Sequence, residues 1–166
     1  VGNTVPEAWE NLIAGKSGIG PITRFDASNF ASRIAGEVKG FDVSAYLSAK
    51  EARRMDVFIH YGMAAGIQAI RDSGIEVTEA NADRIGVNIG SGIGGLPMIE
   101  ETHDDFLGGG PRKISPFFIP GTIINMISGN LSIMFGKVTQ RKIGLMAHRR
   151  NDRRHRRRHC PDHPLI

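Results

Sequence analysis

Apolar positions near the start of the chain recur at helical spacing, with Trp9, Leu12 and Ile13 on one face. Thr4 can cap that helix, Glu7 stands three residues on as in a capping box, and Pro6 is tolerated in the first turn. Gly15 supplies the stop. The period is then lost: residues 16–46 are broken by Gly18, Gly20, Pro21 and Gly40, and only Ile34-Ala35-Gly36-Glu37-Val38 reads as a short strand. Ser48-Ala49-Lys50-Glu51 repeats the capping-box pattern and opens the longest predicted helix, which runs to Ser73 before Gly74. Met55, Phe58, Ile59, Ala65 and Ile70 make its apolar face, which Ala64, Ala65 and Gly66 thin for close packing.

Residues 84–90, Arg-Ile-Gly-Val-Asn-Ile-Gly, form a short β-branched run that predicts a buried strand. It feeds the glycine turn Ser91-Gly92-Ile93-Gly94-Gly95, after which residues 96–106 read as an amphipathic helix. A glycine loop follows at residues 108–111. The apolar segment 117–135, interrupted by Pro120, Gly121 and Gly129, predicts a buried helix after Thr122. Strand, glycine turn and helix in succession point to an α/β layered fold. No internal repeat is visible.

Charge changes this picture only at one end. The net charge is +4 over 166 residues, yet residues 1–136 hold 11 Lys and Arg against 15 Asp and Glu, a net of −4. Residues 137–166 hold 10 against 2, a net of +8, so the basic character belongs to the C-terminal segment alone. Residues 149–159 contain no apolar side chain, cannot pack a core and are expected to be disordered. Such a tail raises the alternative of a basic-tailed nucleic-acid-binding module. No apolar run reaches the length of a membrane span. The opening Val1-Gly2-Asn3-Thr4 has no secretory-signal pattern and reads as starting partway into a longer protein. The lone cysteine, Cys160, excludes an internal disulfide, fits a reducing cytoplasmic compartment, and reads as an incidental thiol.

Candidate chemistry is sparse. The 91–95 turn lacks the Gly-x-x-x-x-Gly-Lys-Ser/Thr of a phosphate loop and does not fit Gly-x-Gly-x-x-Gly. It is either a structural turn or a device that projects Ile93 into an apolar substrate channel. His60 and His103 have no second ligand at helical metal spacing and read as satisfied or surface histidines. Glu100-Glu101 and Asp104-Asp105 read as a solvated acidic face. No nucleophile elbow is present, and no metal or other cofactor is implied.

Four linked segments carry a resemblance. Val1-Gly2-Asn3-Thr4, Lys50-Glu51-Ala52-Arg53-Arg54-Met55-Asp56, residues 89–95 and residues 109–118 resemble, in order and interval, segments of the β-ketoacyl-acyl carrier protein synthase II family. The resemblance covers residues 1–136. It implies the N-terminal half of a thiolase-like layered α/β/α/β/α fold, a cytoplasmic homodimer, and decarboxylative Claisen condensation of malonyl-carrier protein with an acyl thioester. It places Ile93, Phe118 and Ile119 on an acyl channel. It places Lys50, Arg53, Arg54, Arg112 and Lys113 where the family docks its acidic acyl carrier protein, with no membrane or nucleic-acid partner.

The resemblance stops after Gly136. The family continues through a strand into Thr-Ala-Cys-Thr-x-Gly, whose Cys is the nucleophile. Here residues 143–147 can imitate the strand, but the nucleophile's position holds His148, followed by Arg149 and Arg150. Imidazole cannot carry the acyl thioester, so the chain is expected to be inactive. The abrupt switch to Arg and His suggests translation in a shifted frame, and residues 137–166 are set apart as a divergent tail. A non-catalytic partner subunit is disfavoured because such subunits keep the rest of the fold.

Overall fold

The computed structural model describes residues 1–136, and the chain divides after Ala45 into two compact units. The basic tail, residues 143–147, His148 and Cys160 lie outside the described residues.

In the first unit, helix α1 spans Val5–Ile13, as its period predicts. The Thr4 hydroxyl accepts the Glu7 amide at 3.4 Å. The reciprocal half of the capping box is displaced by one residue: Glu7 accepts the amide of Asn3 at 2.8 Å. Gly15, at φ 66°, takes the left-handed turn that ends the helix. Trp9, Leu12 and Ile13 share a face that stays exposed. Strands β1 (Ile19–Pro21) and β2 (Ile34–Gly36) pair antiparallel, Ile19 opposite Gly36. β1 falls where Gly20 and Pro21 argue for irregular chain. Proline is tolerated because a two-stranded ribbon is all edge. The Glu37 carboxylate ties the returning chain down, accepting the Thr23 amide at 2.9 Å and the Thr23 hydroxyl at 2.7 Å.

In the second unit, the helix expected over residues 48–73 is two helices, α2 (Ala49–Ala52) and α3 (Val57–Ser73). Both halves of the Ser48–Glu51 capping box form. Asp56 then takes an extended conformation, φ −70° and ψ 159°, and its amide donates to the Gly121 carbonyl at 3.1 Å. A hydrogen bond to a distant segment replaces one that would have continued the helix. Gly74 closes α3 at φ 65°.

The buried stripe of α3 is Ile59, Met63, Gly66 and Ile67 with Ala64, packed against Ile127 and Leu131 of a later helix. Ala65, assigned to the apolar face by sequence, is exposed, and Phe58 and Ile70 are half-buried. The residues that admit the partner are Gly62 and Gly66: a Cβ at 62 would stand 2.6 Å from Ile127, and one at 66 would run into Leu131.

Residues 85–90 correct the strand expectation. Ile85, Val87 and Ile89 are half-buried while Gly86, Asn88 and Gly90 are exposed, the alternation of a strand. No ladder partner exists among the described residues, and the Ile89 amide donates instead to the Ser128 hydroxyl at 3.0 Å. A strand needs a neighbour to complete its hydrogen bonds; the side-chain pattern alone does not supply one. Helix α4 spans Leu96–Gly109, three residues beyond the predicted end. The 117–135 segment folds as α5 (Phe118–Thr122) and α6 (Met126–Met134), the latter being the expected buried helix. The largest fully buried side chains, Ile59, Met63, Ile67, Ile127 and Leu131, place the core between α3 and α6.

Candidate acyl-channel turn and basic face

The 91–95 turn is held on both sides. The Ser91 hydroxyl donates to the Ile93 carbonyl at 2.6 Å, and the Gly95 amide donates to the Thr122 carbonyl at the end of α5 at 3.0 Å. Neither Gly94 nor Gly95 has a positive φ. Their lack of a side chain serves close approach instead. A Cβ at 94 would fall on the Thr122 carbonyl, and one at 95 would stand 2.7 Å from the Asp56 carboxylate. The turn therefore seats flush on α5, and Ile93, left outside this packing, is 61% exposed. Ile119 is exposed and Phe118 half-buried on α5 itself. The three candidate channel residues thus stand on two elements joined by the Gly95–Thr122 hydrogen bond.

Asp56 organises this junction. Helix α4 begins after Gly95, which has no side chain with which to cap it. The Asp56 carboxylate, 4% exposed, takes that role from 42 residues away: its Oδ2 accepts the Met98 amide at 2.8 Å. An acceptor at a helix N-terminus satisfies an orphan donor, and its negative charge is favoured there. Its backbone carbonyl also accepts the Ile59 amide in the first turn of α3. The other carboxylate oxygen, Oδ1, is buried without a hydrogen-bond partner among the described residues.

The basic positions lie on neighbouring segments. Lys50 is in α2, Arg53 and Arg54 follow it, and Arg112 and Lys113 lie in a short 3-10 turn, Pro111–Lys113, after α4. All five are exposed. Arg54 stacks its guanidinium over the Phe117 ring, 4.3 Å from the centroid. This contact joins the α2–α3 link to the start of α5 and spends part of that cation on a neighbour. The Lys113 stem lies along Gly109, where a Cβ would approach its Cγ to 2.6 Å. Glu51 beside them accepts the Ser48 hydroxyl and amide, which hold its carboxyl below the usual glutamate value.

His60 is half-buried with Nε2 2.9 Å from the Ala52 carbonyl, a satisfied histidine. His103, Glu100, Glu101, Asp104 and Asp105 are all exposed on α4. Among the described residues no group of His, Cys, Asp or Glu is arranged to hold a metal ion, and no helix is long and apolar enough to cross a membrane. A cavity of about 600 Å³ in the first unit, bordered by Asn3, Glu7, Glu37 and Lys39, contains none of the candidate site residues. Sequence reasoning missed Asp56 and Phe117 as individuals. The signal for Asp56 was present, an Asp directly before an apolar helical run.

Comparison with known proteins bears on the whole of this region. The family model for the β-ketoacyl synthase N-terminal domain matches residues 1–138. The chain is 63% identical over 136 residues to 3-oxoacyl-acyl-carrier-protein synthase 2 of Vibrio cholerae, covering 82% of this chain and 33% of that one. The corresponding synthase of Coxiella burnetii is 56% identical over 135 residues, with 81% and 33% covered. The chain thus spans about a third of the length of the curated relatives it matches. Among solved structures, the ishigamide ketosynthase/chain length factor superposes with a TM-score of 0.64 at 26% identity, over 81% of this chain and 34% of that one. A β-ketoacyl synthase from Burkholderia phymatum superposes at 0.60 and 21% identity, over 82% of this chain and 34% of that one, a likeness of fold. A third is a ketosynthase bound to the hexaketide in complex with its type II PKS acyl-carrier protein (TM-score 0.57, 25% identity, 62% of this chain and 30% of that one). The neighbours carry the thiolase-like fold expected from sequence. With a family model matched over residues 1–138 and a relative 63% identical over 136 residues, the chain belongs to the β-ketoacyl synthase family, by its N-terminal domain.

Proposed function

We propose that these residues form the carrier-docking face and one wall of the acyl channel of a 3-oxoacyl-acyl-carrier-protein synthase. The observation that carries the reading is the flush seating of the 91–95 turn on α5, which leaves Ile93 exposed beside the helix bearing Phe118 and Ile119. Exposed and half-buried apolar side chains on a turn and on the helix it packs against suit an acyl chain. Lys50, Arg53, Arg54, Arg112 and Lys113, exposed cations within residues 1–136, a stretch of net charge −4, suit an acidic carrier protein by electrostatic steering. The whole enzyme, a homodimer in the cytoplasm, would condense malonyl-carrier protein with a Cys-bound acyl thioester. This chain has His148 at the nucleophile's position, outside the described residues, and is inactive in condensation.

One assay separates the parts of this proposal. The 166-residue chain is mixed with acyl- and malonyl-carrier proteins, and carrier binding and β-ketoacyl product are measured together. Binding without product is the expected result. Product formation would overturn the inactive assignment, and absence of binding at millimolar carrier would overturn the docking face.

A further inference from the structure

We propose that Asp56 is a positioning residue for the Ile93 turn, its buried carboxylate fixing where Ile93 stands and so which acyl-chain lengths the turn admits. The acyl-length part rests on the channel reading above; the positioning part does not.

Three contacts converge on this residue, two on its side chain and one on its backbone. Its Oδ2 holds the Met98 amide at 2.8 Å and so anchors the first turn of α4. Its Cβ, Cγ and Oδ2 lie against the bare Cα of Gly95, 2.7–2.9 Å from where a Cβ would stand, so the carboxylate is a wedge beneath the last residue of the turn. Its backbone amide bonds the Gly121 carbonyl at 3.1 Å, while the next carbonyl, of Thr122, accepts the Gly95 amide at 3.0 Å. Asp56, the end of α5 and Gly95 thus close a ring. Ile93 hangs two residues before it, with its own carbonyl bonded by Ser91.

The orphaned Oδ1 shows that hydrogen bonding is only part of the role. A buried carboxylate oxygen without a donor is costly, and a buried polar atom of this kind calls for an account. Here the group serves by shape as well as by its one cap bond, filling the space that Gly95 leaves. Side chains that keep both the shape and an acceptor should keep Ile93 in place, and those that remove either should release it.

The test uses the full 166-residue chain with 13C-labelled isoleucine δ1 methyls, first without carrier. Asp56→Ala is expected to move the Ile93 methyl resonance and to speed Met98 amide exchange about tenfold, as loss of one cap bond allows. Asp56→Asn, of the same shape and with an acceptor oxygen, is expected to restore both. Gly95→Ala, which pushes on the carboxylate from the other side, should move the same methyl, and it serves if Asp56→Ala does not fold. In the double variant the clash is relieved, so the two shifts should be less than additive. An Ile93 methyl unmoved in both single variants, or unrestored by Asp56→Asn, overturns the positioning role. Carrier proteins bearing short and long acyl chains are then titrated: a changed ratio of affinities in Gly95→Ala supports the acyl-length role, and an unchanged ratio overturns it. If the unaltered chain binds no carrier, the acyl-length role falls with the channel reading, and the methyl measurement still decides the positioning.

Discussion

Gly62 of α3 lies so close beneath Ile127 of α6 that a methyl group at position 62 would stand 2.6 Å from the isoleucine side chain. Ile127 is 2% exposed and belongs to the α3–α6 core, so it has little room to yield. In an exposed helix, Gly→Ala stabilises by about 1 kcal/mol. Here overpacking opposes that gain.

Gly62→Ala is therefore expected to destabilise the chain by about 1–3 kcal/mol, the usual cost of forcing a methylene into a packed core. Urea unfolding followed by circular dichroism measures it. Ala65→Ser, on the exposed side of the same helix, should stay within about 0.5 kcal/mol. If the two variants behave alike, the close packing assigned to Gly62 is wrong.

The Thr23 amide and hydroxyl, joined by the Arg24 amide and the charge of Lys39, hold the Glu37 carboxyl below the ordinary glutamate value. A lowered folded value means that the stability this group contributes is present above about pH 4.3, the unfolded reference, and is lost as pH falls through the lowered value. An NMR titration should find the Glu37 midpoint below that reference. Thr23→Val removes the hydroxyl but not the amide, so the midpoint should rise part of the way. A midpoint unaffected by that change would remove the hydroxyl from the account.

Ser48 and Glu51 bond reciprocally at the start of α2, the Glu51 carboxylate accepting the Ser48 hydroxyl at 2.6 Å and its amide at 2.9 Å. Ser48→Ala is expected to cost about 0.5–2 kcal/mol, the range for loss of an N-cap, and to let the Glu51 midpoint climb toward the ordinary value. Thermal unfolding and carboxyl titration on the same sample read both effects. A lower transition temperature with an unmoved Glu51 midpoint would mean that the cap acts through Ser48 alone.

On the proposed docking face, charge reversal at Arg53 or Arg112 should slow any carrier association without altering the fold, because both side chains are exposed. Charges of this kind act mainly on the encounter rate and lose their effect in salt. Stopped-flow association at two ionic strengths checks this. Arg54→Glu should differ by also perturbing Phe117, the ring it covers at 4.3 Å. Equal effects of all three reversals, with the Phe117 resonance unmoved, would argue that the stacking has no consequence.

Local physics made much of this chain legible. Thr4, Gly15, Ser48-x-x-Glu51 and Gly74 mark helix ends that the structure places where short-range capping puts them. The acidic stripe on α4 and the satisfied His60 were likewise readable, since each depends on a helix's own face or on a nearby carbonyl. Ile93, Phe118 and Ile119 are named as channel residues by family resemblance alone; periodicity could say only that a glycine turn preceded a helix.

Sequence by itself determined the start and stop of α1, the end of α3, the buried character of α6 and the family to which residues 1–136 are similar. Those features rest on contacts between residues close in the chain, or on the order of motifs along it. Tertiary structure decided the rest. It cut the helix expected over residues 48–73 at Asp56, because that residue's amide and carboxylate bond to Gly121 and Met98. It put Gly62 on the inward face of α3 in place of Ala65, alongside Gly66, which the sequence already marked for close packing, because Ile127 and Leu131 approach from there. It left residues 85–90 without a ladder among the described residues, because a strand is completed by a neighbour and not by its own pattern. In the first two cases the deciding partner lies far along the chain, and only folding brings it near.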